Sequence, residues 1–190
     1  MKQGTRQILA MATITSGLCF LQSYLPLLEF DRDKILADEF WRLWTAHWVH
    51  SNWGHWLLNV MAGLALYVLL LTDIRPAKLA ILCIMLSGLL GAVLFVFYPN
   101  LNWYNGLSGL LHALTAYCLV RRVARGERSY GWALLLLWLK VSGESIWVYF
   151  GYTVMMGELR VITEAHLMGA LLGSCLAAIG LFTLRTKRPA

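Results

Sequence analysis

The sequence predicts an all-α membrane protein built as a compact bundle of six transmembrane helices. Composition is the first reason. The 190 residues are 59% hydrophobic and only 14% charged, with mean hydropathy +0.61, which is too little polar surface for a water-soluble domain of this size. The second reason is spacing. The apolar residues gather in separate runs long enough to cross a bilayer, whose hydrocarbon core takes about 20 helical residues. So short a chain has no room for a second domain beside the bundle, and residues 1–190 read as one unit.

The spans are expected at about 8–28, 55–72, 77–98, 106–121, 131–149 and 163–184. The first follows Lys2 and Arg6 like a signal peptide, but Ile8 to Leu28 exceeds the 7–15 residues of a signal-peptide core. It is read as a retained span. The next two are mostly apolar. The fourth is short, and the fifth carries Lys140 and Glu144, four apart, which are expected to pair with each other and stay silent. The sixth carries Ala165, Gly169, Gly173 and Ala177 at every fourth position, a ridge of small side chains that admits a close neighbour. The fourth has a shorter ridge, Gly109 and Ala113.

Charge orients the set. Lys2, Arg6, Arg75, Lys78, Arg121, Arg122, Arg125, Arg128, Arg185, Lys187 and Arg188 fall on one side, whereas the other has only Arg32, Lys34, Arg42 and Arg160 along with most acids, from Glu29 to Glu39 and again at Glu158 and Glu164. The positive-inside rule puts both termini in the cytoplasm. The net charge of +6 therefore reflects basic loops between spans, not a nucleic-acid surface. Cys19, Cys83, Cys118 and Cys175 lie far apart inside expected spans, so they read as packing residues and not as a disulfide or zinc set. Two external segments stand out. Residues 29–54 make a long connection whose second half runs into "EFWRLWTAHWVHSNWGHW", with five tryptophans from Trp41 to Trp56 expected at the outer interface, and 148–159 is apolar but broken by Gly151 and Gly157, a candidate cap.

Polar residues inside spans cost free energy, so their positions carry information. Ser108 opens span four and His166 opens span six, both from the outer side and at similar depth. If the two small-residue ridges meet, the pair comes within reach. A serine hydroxyl needs a base to take its proton, and histidine titrates in the right range for that work. Acyl transfer also needs donors for the oxyanion. "HWLLN" sets His55 and Asn59 on one helix face at the start of span two, and both can donate.

These motifs, in this order, resemble the rhomboid intramembrane serine proteases in their six-span form. Trp41–Arg42 lies in a long first external loop. His55 and Asn59 match H-x-x-x-N, "GLSG" matches G-x-S-G, and "AHLMGALLG" matches A-H-x-x-G-x-x-x-G. The resemblance covers nearly the whole chain. It implies Ser108 as nucleophile and His166 as general base, a dyad with no third carboxylate. It also implies His55, Asn59 and the Ser108 N–H as oxyanion donors, with no metal and no cofactor. Gly106 and Gly109 would shape the start of span four, Gly169 and Gly173 would seat span six, and His50 would be a structural histidine of the first loop. Many rhomboids have an aromatic residue four after the nucleophile, packed on the catalytic histidine. Here it is His112, expected as a supporting ring. "GLSG-x-LH" is further similar to the rhombosortase branch of small bacterial rhomboids. That branch implies an inner-membrane enzyme, opening to the periplasm, that removes a Gly-Gly-containing C-terminal transmembrane tail from exported proteins. Its partners would then be membrane-anchored substrates and the lipid bilayer.

Other readings are a protease of other single-span substrates, a non-catalytic rhomboid-like binder, a metal or haem protein using His47, His50 and His55, and a small transporter using Lys140 and Glu144 as a relay. Both serine and histidine are present, which argues against the binder. No carboxylate or thiol accompanies the three histidines, and no H-E-x-x-H occurs, which argues against the metal site.

Overall fold

The computed structural model describes residues 17, 19–157 and 159–186, and the fold is 74% helix. The apolar helix α1 (Cys19–Leu28) is the described part of the first expected span, whose start and whose Lys2 and Arg6 lie outside the described residues. Strand β1 (Phe30–Asp31), α2 (Arg32–Leu36) and α3 (Arg42–Thr45) build the first loop. Then come α4 (Trp53–Leu66), running on through a π-helical turn (Tyr67–Leu71), α5 (Pro76–Phe97), β2 (Trp103–Tyr104), α6 (Ser108–Ala124) and α7 (Tyr130–Tyr149). A hairpin of β3 (Met155–Met156) and β4 (Leu159–Arg160) precedes α8 (Thr163–Thr186). Local chemistry sets several starts. The Asn52 carboxamide oxygen accepts from the His55 N–H at 2.8 Å and caps α4, and Pro76 opens α5 where its missing N–H costs nothing.

Among the described residues, three helices are long and apolar enough to cross a membrane: Trp53–Leu71, Pro76–Phe97 and Thr163–Thr183. Helices α6 and α7 fall where the fourth and fifth spans are expected. The first has only 17 residues, and the second has 20 but is interrupted by Lys140 and Glu144. Large apolar side chains such as Met61, Val68, Ile84, Val96, Leu136 and Phe182 are exposed around the outside. In water such a surface would aggregate, whereas a lipid annulus accepts it.

Helix α6 is the central element. It packs against α4, α5, α7 and, most extensively, α8. The two small-residue ridges meet: a Cβ on Gly169 would collide with the Gly109 carbonyl, and one on Gly173 with the Ala113 carbonyl. Only glycine lets the backbones approach this closely. Ala165 and Ala177 on the same stripe are fully buried. Of the four cysteines, Cys118 is buried in this core, but Cys175 is exposed on the lipid-facing side of α8, so it does not pack as expected.

The first loop is a folded structure bound to the bundle. Arg42 is fully buried. It pairs with Glu39 at 2.6 Å and donates to the carbonyls of Pro26 (3.0 Å) and Glu29 (2.8 Å), tying the loop to the end of α1. Trp41 Nε1 donates to Leu27 O at 3.2 Å. Trp44 lies over Gly88, and the Leu43 carbonyl lies over Gly91 of α5. Arg32 caps the C-terminal end of α5, donating to the carbonyls of Phe95 (3.0 Å), Tyr98 (2.8 Å) and Leu101 (2.8 Å). A cation there also meets the negative end of the helix dipole. The short pairing Phe30 with Tyr104 then joins the first loop to the segment that leads into α6.

Candidate active site

Ser108 is the first residue of α6. Its position is set by the segment before it. Gly106 has φ +116°, a conformation L side chains rarely adopt, and a Cβ there would stand 2.6 Å from His55 Cε1. The Gly106 N–H donates to Ala46 O at 3.0 Å, the Leu107 N–H donates to His50 Nε2 at 3.4 Å, and the Tyr104 hydroxyl donates to Gly106 O at 2.6 Å. Because Ser108 opens a helix, its own N–H belongs to the first turn, which has no intrahelical acceptors and the positive end of the dipole.

His166 comes from α8, where the glycine contacts hold the two helices together. Its ring is almost completely buried, at 6% exposure. Its Nε2 lies 2.9 Å from Ser108 Oγ, which donates to it. The His112 ring stacks on the His166 ring, with centroids 4.2 Å apart and planes 17° apart. His112 Nδ1 donates to the Ser108 carbonyl at 2.7 Å. His112 therefore shares a helix with Ser108 and faces the other histidine.

On the other side of His166, α7 brings residues that the sequence reading set aside. Glu144 Oε2 accepts from His166 Nδ1 at 2.9 Å. Lys140 Nζ donates to Glu144 Oε1 at 2.8 Å and to His112 Nε2 at 2.9 Å. The expected Lys140–Glu144 pair forms, it also bonds both histidines, and a carboxylate stands behind His166 where none was expected. The reason lies in helix phase. Four residues apart on α7, both charges share one face, from which the Lys140 ammonium reaches His112 of α6 and the Glu144 carboxylate reaches His166 of α8, while the Lys140 side chain stays 46% exposed.

A cavity of about 210 Å³ opens beside Ser108 and His166, walled by His55, Leu58 and Asn59 of α4, by Tyr104 and Asn105, and by Met156, Arg160 and Ile162. The hairpin thus covers part of the segment expected as a cap. Asn59 is buried and donates one amide hydrogen to His55 O at 3.0 Å. His55 Nδ1 has no hydrogen-bond partner among the described residues. The His55 ring stands edge-on to His50 at 5.0 Å. Burial, aided by His55, lowers the His50 pKa to about 3, and burial alone brings His47 to about 4. Both are neutral at pH 7. Neutral His47 donates from Nε2 to Ser87 O at 3.0 Å and turns Nδ1 toward the buried Tyr104 hydroxyl. This is a scaffold role that the sequence reading did not assign. Trp41 and Arg42 are not part of the cavity wall and act through the loop.

Among the described residues, no group of three or more His, Cys, Asp or Glu is arranged to hold a metal ion. The arrangement offers a hydroxyl on an imidazole nitrogen, a helix N-terminus and a half-enclosed, mostly apolar cavity with His55, Asn59 and Ser108 on its wall. A family model described as Rhomboid domain matches residues 37–182, most of the chain and every residue of this cluster. The chain belongs to the rhomboid family, which is known for intramembrane serine proteases.

Proposed function

We propose that this chain is an active intramembrane serine endopeptidase. The observation that carries the reading is the Ser108 hydroxyl, 2.9 Å from His166 Nε2 at the edge of a 210 Å³ cavity. His166 takes the hydroxyl proton as Ser108 attacks the scissile carbonyl. It then gives that proton to the leaving amine as the C–N bond breaks. The charge that develops on the carbonyl oxygen is met by the Ser108 N–H, His55 and Asn59. Water admitted through the cavity hydrolyses the acyl-enzyme by the same route in reverse.

His55→Ala and Asn59→Ala are each expected to lower kcat with little change in KM. Loss of one donor costs roughly 10²–10³ in soluble serine proteases, and sharing among three donors keeps each single loss at or below that range. Steady-state kinetics on a model transmembrane peptide checks this. Unchanged kcat in both single variants and in the double variant would remove these residues from the site.

The unit is read as a single six-span domain with both termini cytoplasmic, set in a bacterial inner membrane with its active site toward the periplasm. Basic groups at one end support that orientation, with Arg75, Lys78, Arg121, Arg122 and Arg125 around a second cavity. A substrate helix entering from the periplasmic side must become extended to reach Ser108, and glycine weakens a helix by roughly 1 kcal/mol relative to alanine. A C-terminal tail with Gly-Gly before its apolar span suits that demand, as the "GLSG-x-LH" resemblance implies. The test is one exported reporter carrying such a tail, compared with the same tail in which both glycines are leucine, each co-expressed with wild type and Ser108→Ala. Selective release of the Gly-Gly form by wild type supports the tail-processing reading. Equal processing of both tails leaves a protease of broader single-span substrates. No release dependent on Ser108 rejects the protease.

A further inference from the structure

Five side chains form a closed circuit. Ser108 Oγ donates to His166 Nε2, His166 Nδ1 to Glu144 Oε2, Lys140 Nζ to Glu144 Oε1 and to His112 Nε2, and His112 Nδ1 returns to the Ser108 carbonyl, every step between 2.7 and 2.9 Å. We infer that Glu144 is a positioning residue for His166, and that Lys140 and His112 complete a ring of hydrogen bonds fixing which nitrogen of His166 faces Ser108. The inference rests on the protease reading of Ser108 and His166 and adds a third member to it.

The proton placement follows from the partners. A carbonyl only accepts, so His112 carries its proton on Nδ1 and presents a lone pair at Nε2. Lys140 only donates, so it fills that lone pair and Glu144 Oε1. An ionised carboxylate only accepts, so His166 must carry its proton on Nδ1, which leaves Nε2 as the lone pair that takes the Ser108 proton. The Lys140 Nζ contact to His166 Nδ1, at 3.3 Å, then joins two donors and is no hydrogen bond. Any other placement sets two donors face to face at Lys140 and His112, or two acceptors face to face at Glu144 and His166. The cluster is also charge-balanced: the Lys140 ammonium offsets the Glu144 carboxylate, whose side chain is 17% exposed. When His166 accepts the serine proton, the imidazolium that forms already holds the carboxylate at Nδ1.

Lys140 makes the inference sharply testable. In Glu144→Gln, the amide oxygen is drawn to the Lys140 ammonium, and the amide NH₂ faces His166 Nδ1. That nitrogen must then accept, its proton moves to Nε2, and Nε2 can no longer take a proton from Ser108. Removing the ammonium as well, in Lys140→Met/Glu144→Gln, frees the amide to turn its oxygen toward His166.

The experiment measures labelling of the purified full chain in detergent by a fluorophosphonate, with kinact and KI separated. The Ser108 oxygen forms the O–P bond, the P–F bond breaks and fluoride leaves, and the hydroxyl proton passes to His166 Nε2. Removing the equivalent carboxylate contact costs about 10⁴ in a soluble triad. Here Glu144→Gln is expected to lower kinact by about 10² or more, with KI and melting temperature little changed. Glu144→Asp should label faster than Glu144→Gln, and the double variant should recover at least about tenfold over Glu144→Gln alone. Wild-type kinact in Glu144→Gln, or a double variant no faster than the single one, overturns the inference while labelling of wild type but not Ser108→Ala keeps the protease reading. Labelling that is the same in wild type and Ser108→Ala overturns both.

Discussion

Ser108→Ala and His166→Ala are each expected to lower peptide-bond cleavage by on the order of 10⁶, the size seen when a serine protease loses its nucleophile or its base. The neighbouring hydroxyls that line the cavity are committed elsewhere, Ser51 by donating to Asn105 Oδ1 at 2.8 Å. The other hydroxyl lining the cavity outside the first loop is the buried Tyr104 phenol, committed to Gly106 O, and burial raises its pKa. His112 cannot replace His166 either, because its Nδ1 is bonded to the Ser108 carbonyl and its Nε2 to Lys140. The two variants should also be non-additive, since each alone removes the same proton transfer. Single-turnover cleavage of a transmembrane peptide reads the effect. Residual cleavage at the same bond in Ser108→Ala, within tenfold of wild type, would assign the chemistry to another residue.

Gly169→Val and Gly173→Val should give the largest losses of stability. Both glycines face α6 carbonyls with no space for a Cβ, so a side chain must push two backbones apart instead of displacing a flexible neighbour. Overpacking of this kind costs about 3 kcal/mol or more, which for a chain of this size lowers the melting temperature by about 6–12 °C. Activity should fall further than stability. Gly169 lies one turn from His166, and a shift of about 1 Å between nucleophile and base can cost about 10² in rate. Thermal scans in detergent give the first number and phosphonate labelling the second. A melting temperature unchanged in both variants would mean that the helices are held elsewhere.

The glycine ridges show what a sequence exposes. Small residues at every fourth position can be read directly, because one helix suffices to define the stripe, and their partner stripe on α6 is equally periodic. Ser108, His166, His55 and Asn59 are legible for a similar reason: each is a polar group at the end of an apolar run. Glu144 was visible as an intramembrane charge, but its partner was not. Pairing with Lys140 follows from spacing within one helix, whereas contact with His166 depends on the rotation of α7 against α8, a tertiary variable that no local spacing encodes. Arg32 and His47 were missed for the same cause. Each bonds backbone carbonyls more than thirty residues away, and a carbonyl acceptor has no side-chain signature. Helices α6 and α7 are a different case: the first has 17 residues, and the second has 20 but carries Lys140 and Glu144, so length and composition alone do not mark either as a span.

The anchoring of residues 103–107 has a consequence for how the protein opens. Connecting segments ordinarily exchange their amide hydrogens quickly. Here the Gly106 and Leu107 amides are tied to Ala46 and to His50, and Tyr104 pairs with Phe30. Releasing those hydrogens requires the first loop to lift from the bundle, so the loop and the entry to α6 form one cooperative opening unit. Their exchange should be slow, with protection closer to that of α6 than to that of the Phe150–Val154 connection. Agents that loosen the first loop, at its Arg42 clamp for instance, should then raise exchange at Gly106 and Leu107 in step, and register at the nucleophile without touching it.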